Sequence, residues 1–155
     1  MDDRLFRDTM GKFSTGVTVI TTKHDGKVHG MTANAFMSVS LNPKLVVISI
    51  GENARCLNKI RESGQFGVNI LAEDQQEYSM IFAGQKKGEM DIEFDTLAGV
   101  PVLPGALAQI SCEVVSSYVE GDHTLFIGKV QDILLEEKEP LLFYSGKYYS
   151  LQTVV

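Results

Sequence analysis

The spacing of apolar residues divides the chain into short elements, most of them alternating with a period of two. Leu5, Phe6, Met10 and Phe13 recur near helical spacing after Asp2 and Asp3, either of which can cap a helix start. Residues 16–22 (GVTVITT) alternate and are rich in β-branched side chains, which predicts a strand. In KHDGK the Asp25-Gly26 pair marks a hairpin turn, and the chain returns through VHGMTANAF as a second strand. KLVVISIG (44–51) is a nearly continuous apolar run, the pattern of a buried third strand. A short helix is expected over ENARCLNKIRES, capped by Asn53 and stopped by Gly64. QFGVNIL reads as a fourth strand. AEDQQEYSMIFAG, with acids in its first turn and Tyr78, Ile81 and Phe82 near its end, reads as a second helix. Residues 84–105 carry turn formers without a clear period and are expected to be mostly loop. ALAQISCEVVSSYVE, HTLFIGKVQDILLEE and LLFYSGKYYSL give three more strands, joined by EGDH and EEKEP. About seven strands and two or three helices, without regular strand–helix alternation, predict a mainly β, antiparallel barrel with helical insertions.

One stretch departs from this simple patterning. GMTANAFMSVSLNP, residues 30–43, has no charged residue and yet is too polar for a fully buried strand. Read with period two, Ala33, Ala35, Met37, Val39 and Leu41 form an apolar side expected to face the core. The other side holds Thr32, Asn34, Phe36, Ser38 and Ser40: hydroxyls, an amide and a ring where a solvent-facing strand usually carries Lys, Glu or Arg. Such a face suits a large planar ligand with polar edges, for which an isoalloxazine ring is one fit. It suits equally a hydroxyl-rich strand at a subunit interface or in solvent.

Composition narrows the classes. The chain has 155 residues and reads as a single domain over 1–155. With 14 basic and 20 acidic residues its net charge is −6, which argues against general binding to nucleic acid or to an anionic membrane. Cys56 and Cys112 form no C-x-x-C pair and read as small buried hydrophobes. The charged, amphipathic start is unlike a signal peptide, and no apolar run reaches spanning length, so a cytoplasmic setting with reduced thiols is expected. No G-x-G-x-x-G, P-loop, G-x-S-x-G or H-E-x-x-H motif occurs, and three histidines are too few for a histidine-rich metal centre.

Three further places carry chemistry. In SIGENARCLNKI a buried strand ends and a helix begins near Ala54, with Arg55 in its first turn. Such a helix start can seat a phosphate, or can simply be a helix start with a solvated arginine. In GDHTLFIGKV, His123 opens a strand after a Gly121-Asp122 turn, where it can meet a ligand or solvent. In FYSGKYYS, Tyr144, Tyr148 and Tyr149 cluster around a Ser145-Gly146 turn, as packing or as a ligand wall. Lys86-Lys87 and the EEKE run (136–139) read as solvated loop and turn.

In this order, TGVTVITT, HGMTANAFMSVSLNPKLVVISIG, GVNIL, GDHTLFIGKV and LLFYSGKYYSL resemble the small flavin reductase components of two-component flavin-dependent aromatic monooxygenases. The likeness is greatest to reductases serving phenol and 4-hydroxyphenylacetate hydroxylases, and it runs from Asp2 to about Leu151. It implies a Greek-key split β-barrel, a homodimer, and reduction of free FAD, or FMN, by NADH, or NADPH, for a separate oxygenase component. By the same resemblance Asn34, Ala35, Ser38, Val39 and Ser40 lie along the flavin, joining Thr32 and Phe36 of the uncharged face. Ser49, Gly51, Ala54, Arg55 and Cys56 would reach its phosphates, and Phe82, Ala83 and Gly84 would close over it. His123 would meet the nicotinamide nucleotide, with Tyr144, Gly146 and Tyr148 beside it, and no metal is implied. The alternative on the same barrel is a flavin- or haem-binding carrier or sensor without turnover.

Overall fold

The computed structural model describes residues 1–88 and 91–154. Helix α1 (Asp3–Met10) starts as expected, the Asp2 carboxylate accepting the Arg4 N–H at 3.0 Å. β1 (Thr15–Gly16) and β2 (Thr18–His24) follow, and Asp25-Gly26, both at positive φ, turn the chain into β3 (Lys27–Ala33). That backbone is the hairpin turn that matches strand twist, which is why the Asp-Gly pair was legible. β4 (Phe36–Ser40), β5 (Leu45–Gly51), α2 (Cys56–Ser63) and β6 (Gln65–Ile70) come next. A 3₁₀ turn (Glu73–Gln75) then leads into α3 (Gln76–Phe82). β7 (Asp95–Leu97) and β8 (Val100–Val102) form a small hairpin. The long β9 (Ala108–Glu120) and β10 (His123–Leu135) precede the closing pair β11 (Leu141–Tyr144) and β12 (Lys147–Ser150).

Seven strands form one sheet in the order β3-β2-β6-β9-β10-β5-β4, every neighbour antiparallel. Its two edges, β3 and β4, are consecutive in the chain, and only Asn34 and Ala35 lie between them. A seven-stranded sheet whose outer strands are tied by two residues has to curl until those edges meet, so it is a barrel. The edges share no ladder among the described residues, which makes the closure a split. There the Phe36 N–H donates to the Asn34 carbonyl at 3.0 Å, and the Ser49 N–H to the Ala35 carbonyl at 3.2 Å.

The barrel interior is filled by Ile20, Ile48, Ile50, Phe66, Val68, Cys112 and Phe126, and α2 adds Cys56, Leu57 and Ile60 to the same core. β10 passes close over this core at Gly128, where a Cβ would stand 2.9 Å from that of Cys112 and closer still to the Phe66 ring. A second cluster, Val17, Val19, Leu71, Phe82, Leu103 and Leu141, lies between the barrel wall and the α3 and β11 layer. β2 serves both, which is why all five residues from Thr18 to Thr22 are buried. Buried polar groups fasten the outer layer. Thr21 donates its hydroxyl to the Pro101 carbonyl at 2.5 Å. Asn69 donates to the Val19 carbonyl at 2.8 Å and accepts the Leu103 N–H at 2.7 Å. Each such group would cost on the order of 1–3 kcal/mol if left unpaired.

Several expectations are corrected. The chain has more strands than seven, because the segment returning from the hairpin ends at Ala33 and β4 is separate, and because LLFYSGKYYSL is itself a hairpin. The region 84–105 holds the β7–β8 hairpin, while residues 89 and 90 of that expected loop lie outside the described residues. Helix α2 starts at Cys56, its cap position is Arg55 and no side chain caps it. Asn53 does not, since the preceding turn is closed by the Ala54 N–H on the Gly51 carbonyl.

The apolar side of GMTANAFMSVSLNP is also not a core face: Met37, Val39 and Leu41 are 59%, 47% and 80% exposed. Two phase slips explain this. In β3 Met31 and Ala33 pack on the core, whereas in β4 Phe36 does so, opposite Ile48; the inward set changes from odd to even across Asn34-Ala35. A bulge then leaves Val39 unpaired between Ser38, opposite Val46, and Ser40, opposite Leu45.

Gly128→Ala is expected to destabilise the fold by about 1–3 kcal/mol, through overpacking against Phe66 and Cys112. A lowered denaturation midpoint with an unchanged slope would display it, and an unchanged midpoint would contradict the packing.

Candidate functional site at the barrel split

Two recesses open beside the split, and Asn34 lines both. The larger is a groove of about 870 Å³ on the outside of the barrel wall. Its floor is a set of cross-strand rows fixed by register. Met37, Val47 and Ile127 follow one another across β4, β5 and β10. Ser49 faces Leu125, and Gly51 faces His123. Asn34, Ala35, Phe36 and Val39 flank these rows, and Met10 at the end of α1 and Phe13 just after it stand at the rim. The smaller recess, about 180 Å³, lies between β3, α3 and β12 and is lined by Thr32, Ala33, Ser79, Ala83, Gln85 and Tyr148 among others.

Neither lining contains a charged residue. The missing charges of GMTANAFMSVSLNP therefore belong to a walled site, though the site takes residues from both sides of that segment. An apolar floor with a few amides and hydroxyls matches a flat heteroaromatic ring with polar edges. The groove's volume lies in the range of small-molecule and cofactor sites, about 300–1,000 Å³.

The small recess has a braced wall. The Thr32 hydroxyl donates to the Ser79 carbonyl at 2.7 Å, and the hydroxyls of Ser79 and Tyr148 share a hydrogen bond of 2.8 Å. Ser79 is 1% exposed, so this bond ties β3, α3 and β12 through one buried group. The Tyr148 ring packs edge-on against Phe143, their centroids 5.3 Å apart.

At the far end of the groove floor, His123 lies over Gly51: a Cβ on that glycine would be 3.6 Å from the imidazole Nε2. The other ring nitrogen, Nδ1, is 2.7 Å from the Asp122 carboxylate. That hydrogen bond first, and then the imidazole's charge, hold the Asp122 carboxyl below the usual carboxylate range. The turn beneath them is tied to β5 by the Glu52 N–H, which donates to the Asp122 carbonyl at 2.8 Å.

The expected site residues separate into those that meet and those that do not. Asn34, Ala35, Phe36, Val39 and Ser49 line the groove, and Gly51 and His123 extend its floor. Thr32, Asn34, Ala83 and Tyr148 line the small recess. Ala54 packs against the barrel core, and Arg55, at the cap position of α2, is exposed. Cys56 and Phe82 are buried: the former within the barrel core, the latter 6% exposed with its ring over Gly30 and near Phe94. Gly84 is exposed after α3 and lines neither recess. Ser38 and Ser40 sit on β4 outside both linings, and Gly146 is in the exposed β11–β12 turn. Tyr144 faces away from Tyr148, meeting Tyr149 edge-on and the Lys12 ammonium at 5.6 Å. Met10, Phe13, Met37, Leu125 and Ile127 carry no signal in the sequence beyond apolar periodicity; strand register gathers the last three, and the chain after α1 brings the first two to the rim.

Cys112 is inert chemistry: burial pushes its thiol up to about 12. No group of three or more His, Cys, Asp or Glu side chains is placed to hold a metal ion among the described residues, and no described helix is long and apolar enough to cross a membrane.

A curled antiparallel sheet split at one seam, with an uncharged groove beside the seam, defines a flavin reductase-like domain. The chain belongs to that family, whose model, the flavin reductase like domain, matches residues 10–152. It is 46% identical over 149 residues to a protein named NADH-dependent flavin reductase from a Rhodococcus species, covering 94% of this chain and 85% of that one. Among solved structures it superposes on the flavin reductase PheA2 with a TM-score of 0.96 and 63% identity, over 99% of this chain and 100% of that one. The styrene monooxygenase flavin reductase of Pseudomonas putida S12 gives a TM-score of 0.89 and 36% identity, over 97% and 99% of the two chains.

Proposed function

We propose that this chain is an NADH-dependent flavin reductase that reduces FAD and supplies the reduced flavin to a separate oxygenase acting on an aromatic compound. The single observation that carries this reading is the uncharged groove whose floor runs in register from Met37 to His123. It has the size and lining for flat rings. FAD is preferred over FMN on the likeness to phenol-hydroxylase reductases, and NADH over NADPH because relatives are named NADH-dependent flavin reductases.

The reaction asks little of the side chains. Hydride passes between nicotinamide and flavin without a protein acid or nucleophile, because the two nucleotides supply the redox chemistry when bound. The chain's work is to bind, orient and exclude water. Asn34 offers an amide to ring edges from the wall common to both recesses. Ala35, Val47 and Leu125 supply apolar area, and Ser49 a hydroxyl beside it. Arg55, exposed at the cap position of α2, is the phosphate seat, where its guanidinium favours an anion. His123 is the nicotinamide contact at the end of the floor. An uncharged ring seat also favours release, since no buried ion pair holds the reduced ring in place.

Met37 and Val39 on β4 and Leu41 just after it, with Met10 and Phe13 at the groove, leave more apolar surface open than a lone soluble domain favours. A second copy of the chain is the covering proposed here, so the working unit is a homodimer. Sedimentation equilibrium is expected to give twice the chain mass, and a monomer at micromolar concentration would count against it.

Purified protein mixed in air with NADH and excess FAD is expected to consume NADH continuously, at a rate unaffected by aromatic substrates of the oxygenase. A single stoichiometric bleach would favour a non-catalytic carrier instead. Steady-state comparison of NADH and NADPH with FAD and FMN tests the nucleotide preferences. Asn34→Asp, which puts a carboxylate at the junction of the two recesses, is expected to weaken flavin binding by about tenfold or more, read from quenching of flavin fluorescence. Wild-type affinity in that variant would show the ring to lie elsewhere.

A further inference from the structure

We propose that Asp122 is a positioning residue for the nicotinamide: its carboxylate fixes the His123 ring so that Nε2 faces the groove as a hydrogen-bond acceptor for the amide N–H of the carboxamide. This rests on the reading of His123 as the nicotinamide contact and assigns the residue that prepares it.

The geometry carries the inference in three steps. First, Asp122 is not a loose surface acid. Its carbonyl is bonded to the Glu52 N–H at 2.8 Å, so the turn that carries it is fastened to the end of β5, against which β10 is already in register at Gly51 and His123. Second, an ionised carboxylate can only accept, so across the 2.7 Å contact the imidazole Nδ1 must be the donor. An exposed carboxylate is ionised, and so in the accepting form, through the neutral range. Third, with the proton fixed on Nδ1, the neutral ring has its lone pair on Nε2, and that is the atom lying over Gly51, one row beyond the Ser49–Leu125 pair. A hydrogen-bond acceptor there meets the one part of the nicotinamide that carries N–H donors.

The pair is half-exposed on the His123 side and largely exposed on the Asp122 side, so its worth in fold stability is small. Its consequence is directional. Without Asp122 a neutral imidazole distributes its proton between both nitrogens and rotates, and the acceptor faces the groove only part of the time. Two further carboxylates sit on the adjoining register positions: Glu120, the cross-strand partner of His123, and Glu52, which follows Gly51.

The test uses the full-length protein and two readouts. In the ligand-free protein labelled with ¹⁵N-histidine and held above pH 8, long-range proton–nitrogen spectra are expected to show His123 as the Nδ1–H tautomer. His123→Ala identifies its signals. Asp122→Ala is expected to shift them toward a mixture, and Glu120→Gln to leave them unchanged. In steady-state kinetics, Asp122→Ala is expected to raise KM for NADH about tenfold, with kcat and KM for flavin within about twofold. Asp122→Asn, which keeps an accepting oxygen, is expected to fall between. With the reduced acetylpyridine analogue of NADH, whose acetyl group has no N–H, Asp122→Ala is expected to change KM by less than about twofold. An unchanged tautomer, or an equal rise in KM for both dinucleotides, overturns the role of Asp122. If His123→Ala raises KM for NADH and Asp122→Ala does not, this inference fails alone. If His123→Ala leaves that KM unchanged, the reading of His123 beneath it fails as well.

Discussion

The two-residue tie between β3 and β4 governs the molecule. A sheet of seven strands has two edges, and here both belong to one uninterrupted stretch of chain, so curling is imposed by covalent reach. The tie is too short to let the edges separate and too sharp to let them pair, and the seam it leaves is where both recesses open. Asn34 lies in the wall of each because it is half of the tie. Both recesses are thus a by-product of how the barrel is shut.

Closure would be worthless if the wall were soft, and two cores keep it stiff. One fills the barrel and is completed by α2; the other holds α3 and β11 against the outside of β2. Polar residues buried at the boundary, Thr21 and Asn69 above all, fix the layers in one relative position, because sliding would strand their hydrogen bonds. Ser79 does the same for the small recess, binding α3 to β12. The site is therefore lined by edge residues but held by buried ones some strands away.

Much of this was readable from residues alone. The hairpin at Asp25-Gly26, the buried run of β5, the Asp2 cap and the burial of both cysteines follow from local chemistry, and all stand in the fold. So do the antiparallel architecture and the choice of residues 30–43 as the chain's unusual segment. What periodicity could not supply was phase. A pattern of two carries no mark of where the backbone inverts, and both the junction at Asn34-Ala35 and the bulge at Val39 invert or shift it without a glycine or proline to signal them. The apolar side consequently faces outward. Register between distant strands was equally hidden: nothing local in Leu125 or Ile127 says that they lie beside Ser49 and Val47. Of the residues singled out beforehand, Asn34 lines both recesses, while Cys56 and Phe82 lie in the interior, since small and aromatic apolar residues serve a core as well as a ligand.

The long hairpin of β9 and β10 sits in the middle of the sheet, between β6 and β5, although it is made from the last third of the chain. A growing polypeptide therefore presents β6 and β5 as two unconnected flanks until that hairpin emerges and slots between them. The floor of the groove, which needs β10 beside β5, cannot exist before then. During translation the protein is an open trough, and its pocket is among the last features to be born.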